Sequence, residues 1–311
     1  GMLEALNYKE SATRDEAELI LFNTCSIREN ADQRFVTHLY EAKRIKKLRP
    51  DTVVGVGGCW AQSVKDEIFS RFPFVDVAFG PGQVHRLAEF LFSDSLASQS
   101  QFDFAAMQPE QEVKQVAPEL RFISDDGKQQ GFFEFEGFTA RLPERRERQF
   151  QAWVQISVGC NSRCSYCIVP STRGREVSRP AEEIVEEVQR LADSGVVEVT
   201  LLGQNVNSYG RDLPVSRKTS FSQLLTQIDR IDGVSRLRYT SPHPKDMRED
   251  VIRAHSELPS LCEHIHLPLQ SGSSTILKAM RRTYNRERYM ERVRMIREAV
   301  PDCAITTDII V

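Results

Sequence analysis

No apolar run in this 311-residue chain is long enough to cross a membrane, and no signal-peptide pattern opens it. These absences argue against a membrane partner and a secretory route, so a cytoplasmic location is expected. An excess of one charge is missing too. With 41 Lys and Arg against 44 Asp and Glu, a net charge of −3, the chain has no global pull toward nucleic acid. Any RNA contact would have to come from a local basic surface. A paired-cysteine framework is also lacking: seven cysteines, an odd number in uneven clusters, argue against a secreted disulfide scaffold and suit a reducing compartment. What remains is ordinary, 40% hydrophobic and 27% charged, with enough length for two domains that each have a core.

Three of the cysteines stand together. Cys160, Cys164 and Cys167 form a Cys-x3-Cys-x2-Cys pattern just after a β-leaning apolar run, 153–158. Such spacings let one tight loop wrap three thiolates around a single centre. Thiolates suit iron, and a four-iron cubane needs four ligand positions, so three cysteines leave one iron open to a small molecule. A zinc site would need a fourth ligand, and the nearest histidines, His85 and His243, are remote in sequence. Three unrelated buried thiols are a further reading. With an aromatic, Tyr166, directly before the last cysteine, the motif resembles the signature of the radical S-adenosylmethionine (SAM) enzymes. That resemblance implies a [4Fe–4S] cluster on Cys160, Cys164 and Cys167 whose open iron chelates SAM. The reduced cluster would then cleave SAM to a 5′-deoxyadenosyl radical.

In chain order, strands are predicted at 17–25, 52–59 and 74–80 and helices at 27–48, 61–72 and 84–91, after a helix tail at the start. This alternation predicts an open parallel-sheet α/β domain over 1–92. Cys25 and Cys59 each close a strand, at the carboxyl edge where such sheets bind ligands. Glycines before Cys59 would admit a cofactor closely, and two small buried thiols are the bland reading. A third cysteine would have to come from before Gly1, so the expectation is that the chain lacks an amino-terminal strand. Residues 93–150 read as an interdomain linker, its arginines at 141–148 interleaved with Glu and better suited to solvent than to RNA phosphate. From 151 to 311 strands are predicted at 153–158, 197–202, 236–240, 263–267 and 304–311, with helices at 180–193, 221–231, 246–256 and 286–298. The pattern fits a partial, truncated β/α barrel with its chemistry in loops at strand carboxyl ends.

Three such loops are candidates. Gly203, Gln204 and Asn205 open a polar segment ending at Gly210, and their amides can donate to and accept from the amino and ribose groups of SAM. Ser241 and Gln270 occupy the same place after the next two strands. Tyr166 completes the candidate SAM set. His243 and His266 read as structural, and Cys262 and Cys303 as core. Ser178 or Arg179 before Pro180 predicts a helix start, while Arg173, Arg175 and Arg179 could equally hold an anion.

Asn23 to Glu29, Gly57 to Gln62 and the cysteine motif together resemble the methylthiotransferases. Gly203 to Gly210 is similar to the branch that modifies adenosine 37 of tRNA, not to those acting on ribosomal protein S12 or on threonylcarbamoyl-adenosine. The resemblance implies a six-stranded (β/α)6 radical SAM barrel, and a second [4Fe–4S] cluster with Cys25 and Cys59 as two of its three ligands. It further implies SAM used twice, as methyl donor and as radical source, with C2 of N6-isopentenyladenosine as the target. Its partners would be a tRNA anticodon loop carrying that base and an electron donor such as flavodoxin, with the protein a monomer. The missing first cysteine, sixth strand and RNA-binding TRAM domain make a normal auxiliary cluster and tight tRNA binding unexpected for this chain.

Overall fold

The computed structural model describes residues 2–5, 7–24, 29–81, 83, 87–91, 131–133 and 148–311. They fall in two compact units, one within 1–145 together with 171–173 and the other within 146–170 and 174–311.

In the first unit a short helix α1 (Met2–Ala5) precedes a parallel sheet. Strand β1 (Leu19–Thr24) pairs with β2 (Val53–Gly58) from Leu19 opposite Val53 to Thr24 opposite Gly58. Helix α2 (Glu29–Leu48) makes the crossover between them. Beyond β2 lie β3 (Val77–Phe79) and β4 (Gly131–Phe133), both parallel. β2 is buried on both faces, as a covered parallel strand requires, with Val54 and Val56 against Leu39, Ala42, Ile45, Trp60 and Ile68.

Two features depart from the sequence reading. The helix expected at 61–72 is two pieces, α3 (Cys59–Val64) and α4 (Glu67–Arg71). Lys65 takes φ +48 between them, and the Ser63 hydroxyl donates back to the Trp60 carbonyl at 2.8 Å, competing with helical continuation. Strand β4 lies inside the stretch read as linker. A further helix, α5 (Leu87–Leu91), packs Leu87 and Phe90 on Val77 and Phe79.

The second unit is built on β5 (Gln151–Gln155), β8 (Glu198–Leu202) and β9 (Arg236–Tyr239), all parallel. A parallel bridge from Leu237 to Leu261 leads on toward β10 (His264–His266), which pairs in parallel with β11 (Ala304–Thr306). Helices α7 (Ala181–Asp193), α8 (Phe221–Asp229), α9 (Glu249–Glu257) and the pair α10 (Ser274–Ala279) and α11 (Arg286–Ala299) alternate with these strands, giving an open β/α barrel. Its core is largely aliphatic: Val154, Val199, Leu201, Leu237 and Ile265 from strands meet Ile184, Val188, Leu224, Leu225, Ile228, Val251 and Ile296 from helices, with Phe221 and Tyr239 among them. Each such side chain contributes about 2 kcal/mol on burial.

Strand β11 stops at Thr306 and not at 311; beyond it only Ile309 makes a parallel bridge, to Gln270. Between β5 and α7 lies a two-residue antiparallel ladder without a sequence signal, β6 (Ser157–Val158) with β7 (Val177–Ser178). The short helix α6 (Val169–Thr172) falls within that connection. Ser178 is therefore strand, and Pro180 is the N-cap of α7. The cause is Asp212, whose carboxylate accepts from both the Ser178 amide (2.8 Å) and the Ser178 hydroxyl (2.6 Å). Glu182 and Glu183 do occupy the first turn of α7, where the helix dipole favours acids.

Candidate functional site

The cysteine loop leaves β6 through Gly159, which has φ +76; a Cβ there would stand 2.1 Å from the Arg175 carbonyl oxygen. No side chain fits that approach. The loop is held on several sides by its own backbone. The Gly159 amide donates to Gln204 Oε1 at 2.6 Å, the Cys160 amide to the Gly174 carbonyl at 3.2 Å, and the Ser165 amide to the Met280 carbonyl at 3.1 Å. Within the loop the Ser162 amide donates to Cys160 Sγ (3.4 Å) and the Cys167 amide to the Cys164 carbonyl (3.1 Å).

The three thiols are free, Cys160 and Cys164 half-buried and Cys167 exposed. Burial pushes the Cys167 thiol up, and the neighbouring sulfurs of Cys164 and Cys160 push it the same way. Arg282, 118 positions along the chain from Cys164, donates from Nη1 to Cys164 Sγ at 3.2 Å.

Among the described residues no group of three or more His, Cys, Asp or Glu side chains could hold a single metal ion. A zinc-type shell is thus absent there. A polynuclear cluster makes a different demand, because each thiolate takes a different iron and the sulfurs stand farther apart than around one ion. Three thiols on one anchored loop, with a cation at one sulfur, fit that demand.

The other candidates gather at the carboxyl ends of the barrel strands. Gly203 follows β8 and packs so closely that a Cβ would lie 2.6 Å from Ser157 Oγ. Gln204 uses its carbonyl oxygen on the cysteine loop, so it positions that loop. Asn205 is buried and donates to Asp246 Oδ2 at 2.9 Å. Its Oδ1, like Ser157 Oγ, is buried with no hydrogen-bond partner among the described residues, which suits a ligand that brings donors. Ser241 after β9 and Gln270 after β10 both take positive φ, +58 and +73, a strain that collects at ligand sites. Tyr166 is 45% exposed, its phenol pushed up to about 12 by burial.

Several residues without any sequence marker lie here too. Asp246, buried, also receives Arg211, and Glu176, buried, accepts the Ser208 hydroxyl at 2.6 Å. Burial raises the Glu176 carboxyl above its ordinary range. Arg282 and Tyr284 had no marker because the contacts that bring them here, to Cys164 and to the Pro268 and Leu269 carbonyls, are 118, 16 and 15 positions away.

His243 is buried, its Nδ1 accepting from the Lys245 amide at 3.2 Å. His266 lies between Thr306 Oγ1 (2.9 Å) and Asp308 Oδ2 (3.2 Å). Cys303 is in the core, whereas Cys262 is only partly buried, since it faces a cavity of about 510 Å³ lined with Arg236 and Arg238. Arg179 is engaged by Glu187 at 2.7 Å and by the Gln155 carbonyl at 2.8 Å, which removes it from the anion-holding arginines.

In the first unit Cys59 is buried and opens α3 at the carboxyl end of β2. Gly58 before it has φ +99, and a Cβ there would meet the Thr24 carbonyl at 2.1 Å. Cys25 lies outside the described residues.

The Radical SAM superfamily matches residues 154–311, the whole of the stretch that carries these loops. The chain belongs to the radical SAM superfamily. Residues 1–80 match the Uncharacterized protein family UPF0004. Over 311 residues, 100% of the chain, it is 43% identical to tRNA-2-methylthio-N(6)-dimethylallyladenosine synthase of Acidothermus cellulolyticus and 42% identical to that of Thermobifida fusca. The chain spans 57% of the length of each of these relatives. Among solved structures it resembles the radical SAM methyltransferase TsrM from Kitasatospora setae, determined with tryptophan and a SAM analogue, at TM-score 0.56 and 16% identity. That match covers 99% of this chain and 58% of TsrM. It also resembles the cobalamin-dependent radical SAM enzyme OxsB, at TM-score 0.56 and 11% identity, over 94% of this chain and 40% of OxsB. At these identities the likeness shows the fold alone.

Proposed function

We propose that this chain carries the radical SAM chemistry of a tRNA methylthiotransferase that installs a 2-methylthio group at C2 of N6-isopentenyladenosine 37. The observation that supports this most is the 43% identity to a synthase of that name along all 311 residues. The loop from Gly203 to Gly210, packed against the cysteine loop through Gln204, agrees with it.

Cys160, Cys164 and Cys167 would hold a [4Fe–4S] cluster, which when bound supplies the electron for SAM cleavage. Gly159 and Gln204 hold the cysteine loop in place, and Gly203 brings the backbone of the second loop close. Asn205 offers its orphaned Oδ1 to the amino or ribose donors of SAM while Asp246 fixes its amide nitrogen. Ser241 and Gln270 present strained backbone at the same edge. Cys59 and Cys25 would supply two of the three ligands that an auxiliary cluster needs, so the iron counted below is that of the loop cluster. The partners on this reading are the anticodon loop of tRNA, whose splayed base is the accessible form, and a flavodoxin-type electron donor to a monomeric protein.

The test is anaerobic reconstitution, iron and sulfide counting, and incubation with SAM and dithionite, with and without isopentenylated tRNA. About four irons per chain and formation of 5′-deoxyadenosine are expected, both lost in the Cys160→Ala/Cys164→Ala/Cys167→Ala variant. Stoichiometric zinc without SAM cleavage would overturn the reading.

A further inference from the structure

One contact of the cysteine loop is not explained by chain connectivity or by sheet pairing. The Arg282 guanidinium donates from Nη1 to Cys164 Sγ at 3.2 Å and from Nε to the Tyr284 hydroxyl at 3.0 Å, with its carbon 5.0 Å from the centre of the Tyr284 ring. Tyr284 is buried, and its hydroxyl passes the link on to the Leu269 carbonyl (2.8 Å) and the Pro268 carbonyl (3.1 Å), next to Gln270. Two residues before Arg282, the Met280 carbonyl accepts the Ser165 amide. The segment 280–284 therefore grips the cysteine loop at both backbone and sulfur, and is itself fastened to the end of β10.

Among the described residues only one of the three sulfurs has this arrangement. Lys245, another cation hydrogen-bonded to the loop, reaches the Ser162 hydroxyl at 3.4 Å and not a sulfur. Arg282 is half-buried, so its charge is less screened than that of a surface arginine.

Resting on the proposed function, we infer that Arg282 is a positioning residue that sets the reduction potential of the cluster through Cys164. A hydrogen bond from a cation withdraws charge from a thiolate ligand. It favours the reduced cluster, which is the more negative state, over the oxidised one. Partners that orient metal ligands in this way usually matter by tenfold or more. Tyr284 fixes the guanidinium plane, so Lys cannot substitute fully: it keeps the charge but loses the fork that serves sulfur and phenol together.

The test uses the full 311-residue chain, reconstituted anaerobically, with the midpoint potential read by electron paramagnetic resonance during a dithionite titration. For Arg282→Met, iron content is expected to stay at the wild-type level. The one-electron reduction equilibrium should shift about tenfold toward the oxidised cluster, equivalent to about 59 mV more negative. Arg282→Lys should fall between the two. A potential in Arg282→Met equal to wild type, at equal iron content, overturns the inference and leaves the proposed function standing. A wild-type chain that takes up no iron–sulfur cluster overturns both. If Arg282→Met loses the cluster while its circular dichroism is unchanged, and Arg282→Lys regains it at a lowered potential, the ligand-holding role is supported. Loss of the cluster in both variants with loss of circular dichroism would mean that Arg282 serves only the fold, and overturns the inference.

Discussion

His243 and His255 are the two buried imidazoles of the barrel unit, and both are held neutral. Burial lowers His243 to about 2, helped by the charges of Arg282, Lys245 and Arg211, and lowers His255 to about 4. In the unfolded chain each titrates near 6.5. Below that pH the unfolded state takes up protons that the folded state refuses, so the stability these groups contribute is full above about 6.5 and falls with pH toward about 4 for His255 and about 2 for His243. Between pH 7.5 and 5.5 each should account for about 1.4 kcal/mol of lost stability. Urea unfolding at the two pH values should show the loss reduced by that amount in His255→Gln, which can keep the bond to the Tyr239 hydroxyl. Gly159 makes a second prediction at this scale. Gly159→Ala must relieve a Cβ 2.1 Å from a carbonyl oxygen at a positive φ, so it should cost more than about 1 kcal/mol and lower iron uptake, read by metal analysis.

Among elements, α8 has a capping box: Ser220 Oγ accepts the Gln223 amide, and Gln223 Oε1 accepts the Ser220 amide. Ser220→Ala should cost about 1 kcal/mol by urea unfolding. The β6–β7 ladder depends on a single carboxylate. Asp212→Ala leaves the buried Ser178 amide and hydroxyl short of their acceptor and should cost about 2 kcal/mol. The contrast between these elements shows what was legible. The long helices α2, α7, α8 and α11 and the apolar strands β2, β5, β8 and β9 have a period or an unbroken run, and were expected within a few residues of their ends. The two-residue strands β6 and β7 have no period to read. The break at Lys65 follows from a left-handed residue in an otherwise helical pattern. In the candidate site, Gly203, Gln204 and Asn205 are selected by position alone, and they do lie directly after β8. Gln204 serves the loop through its carbonyl oxygen, which residue type alone does not reveal. Arg282 and Asp246 were not found because long-range partners leave no trace in local spacing.

At the scale of the molecule, cysteine position separates the loop thiols from the packed ones. Cys303 is core and Cys262 faces a cavity, while Cys160, Cys164 and Cys167 share one loop. Replacing Cys262 by Ser should leave iron and sulfide content unchanged, whereas replacing any one of the three loop cysteines by Ala should abolish most of it, as counted after reconstitution. The link between that loop and Arg282 also has a consequence in time. During synthesis the 118 residues separating Cys164 from Arg282 take about 6 to 24 s to emerge at about 5–20 residues per second. For that interval the nascent chain displays three thiols without the Arg282 guanidinium at Cys164 and without the anchor at Met280. Metal delivered on the ribosome would meet a loose loop, and metal delivered after release would meet a finished one.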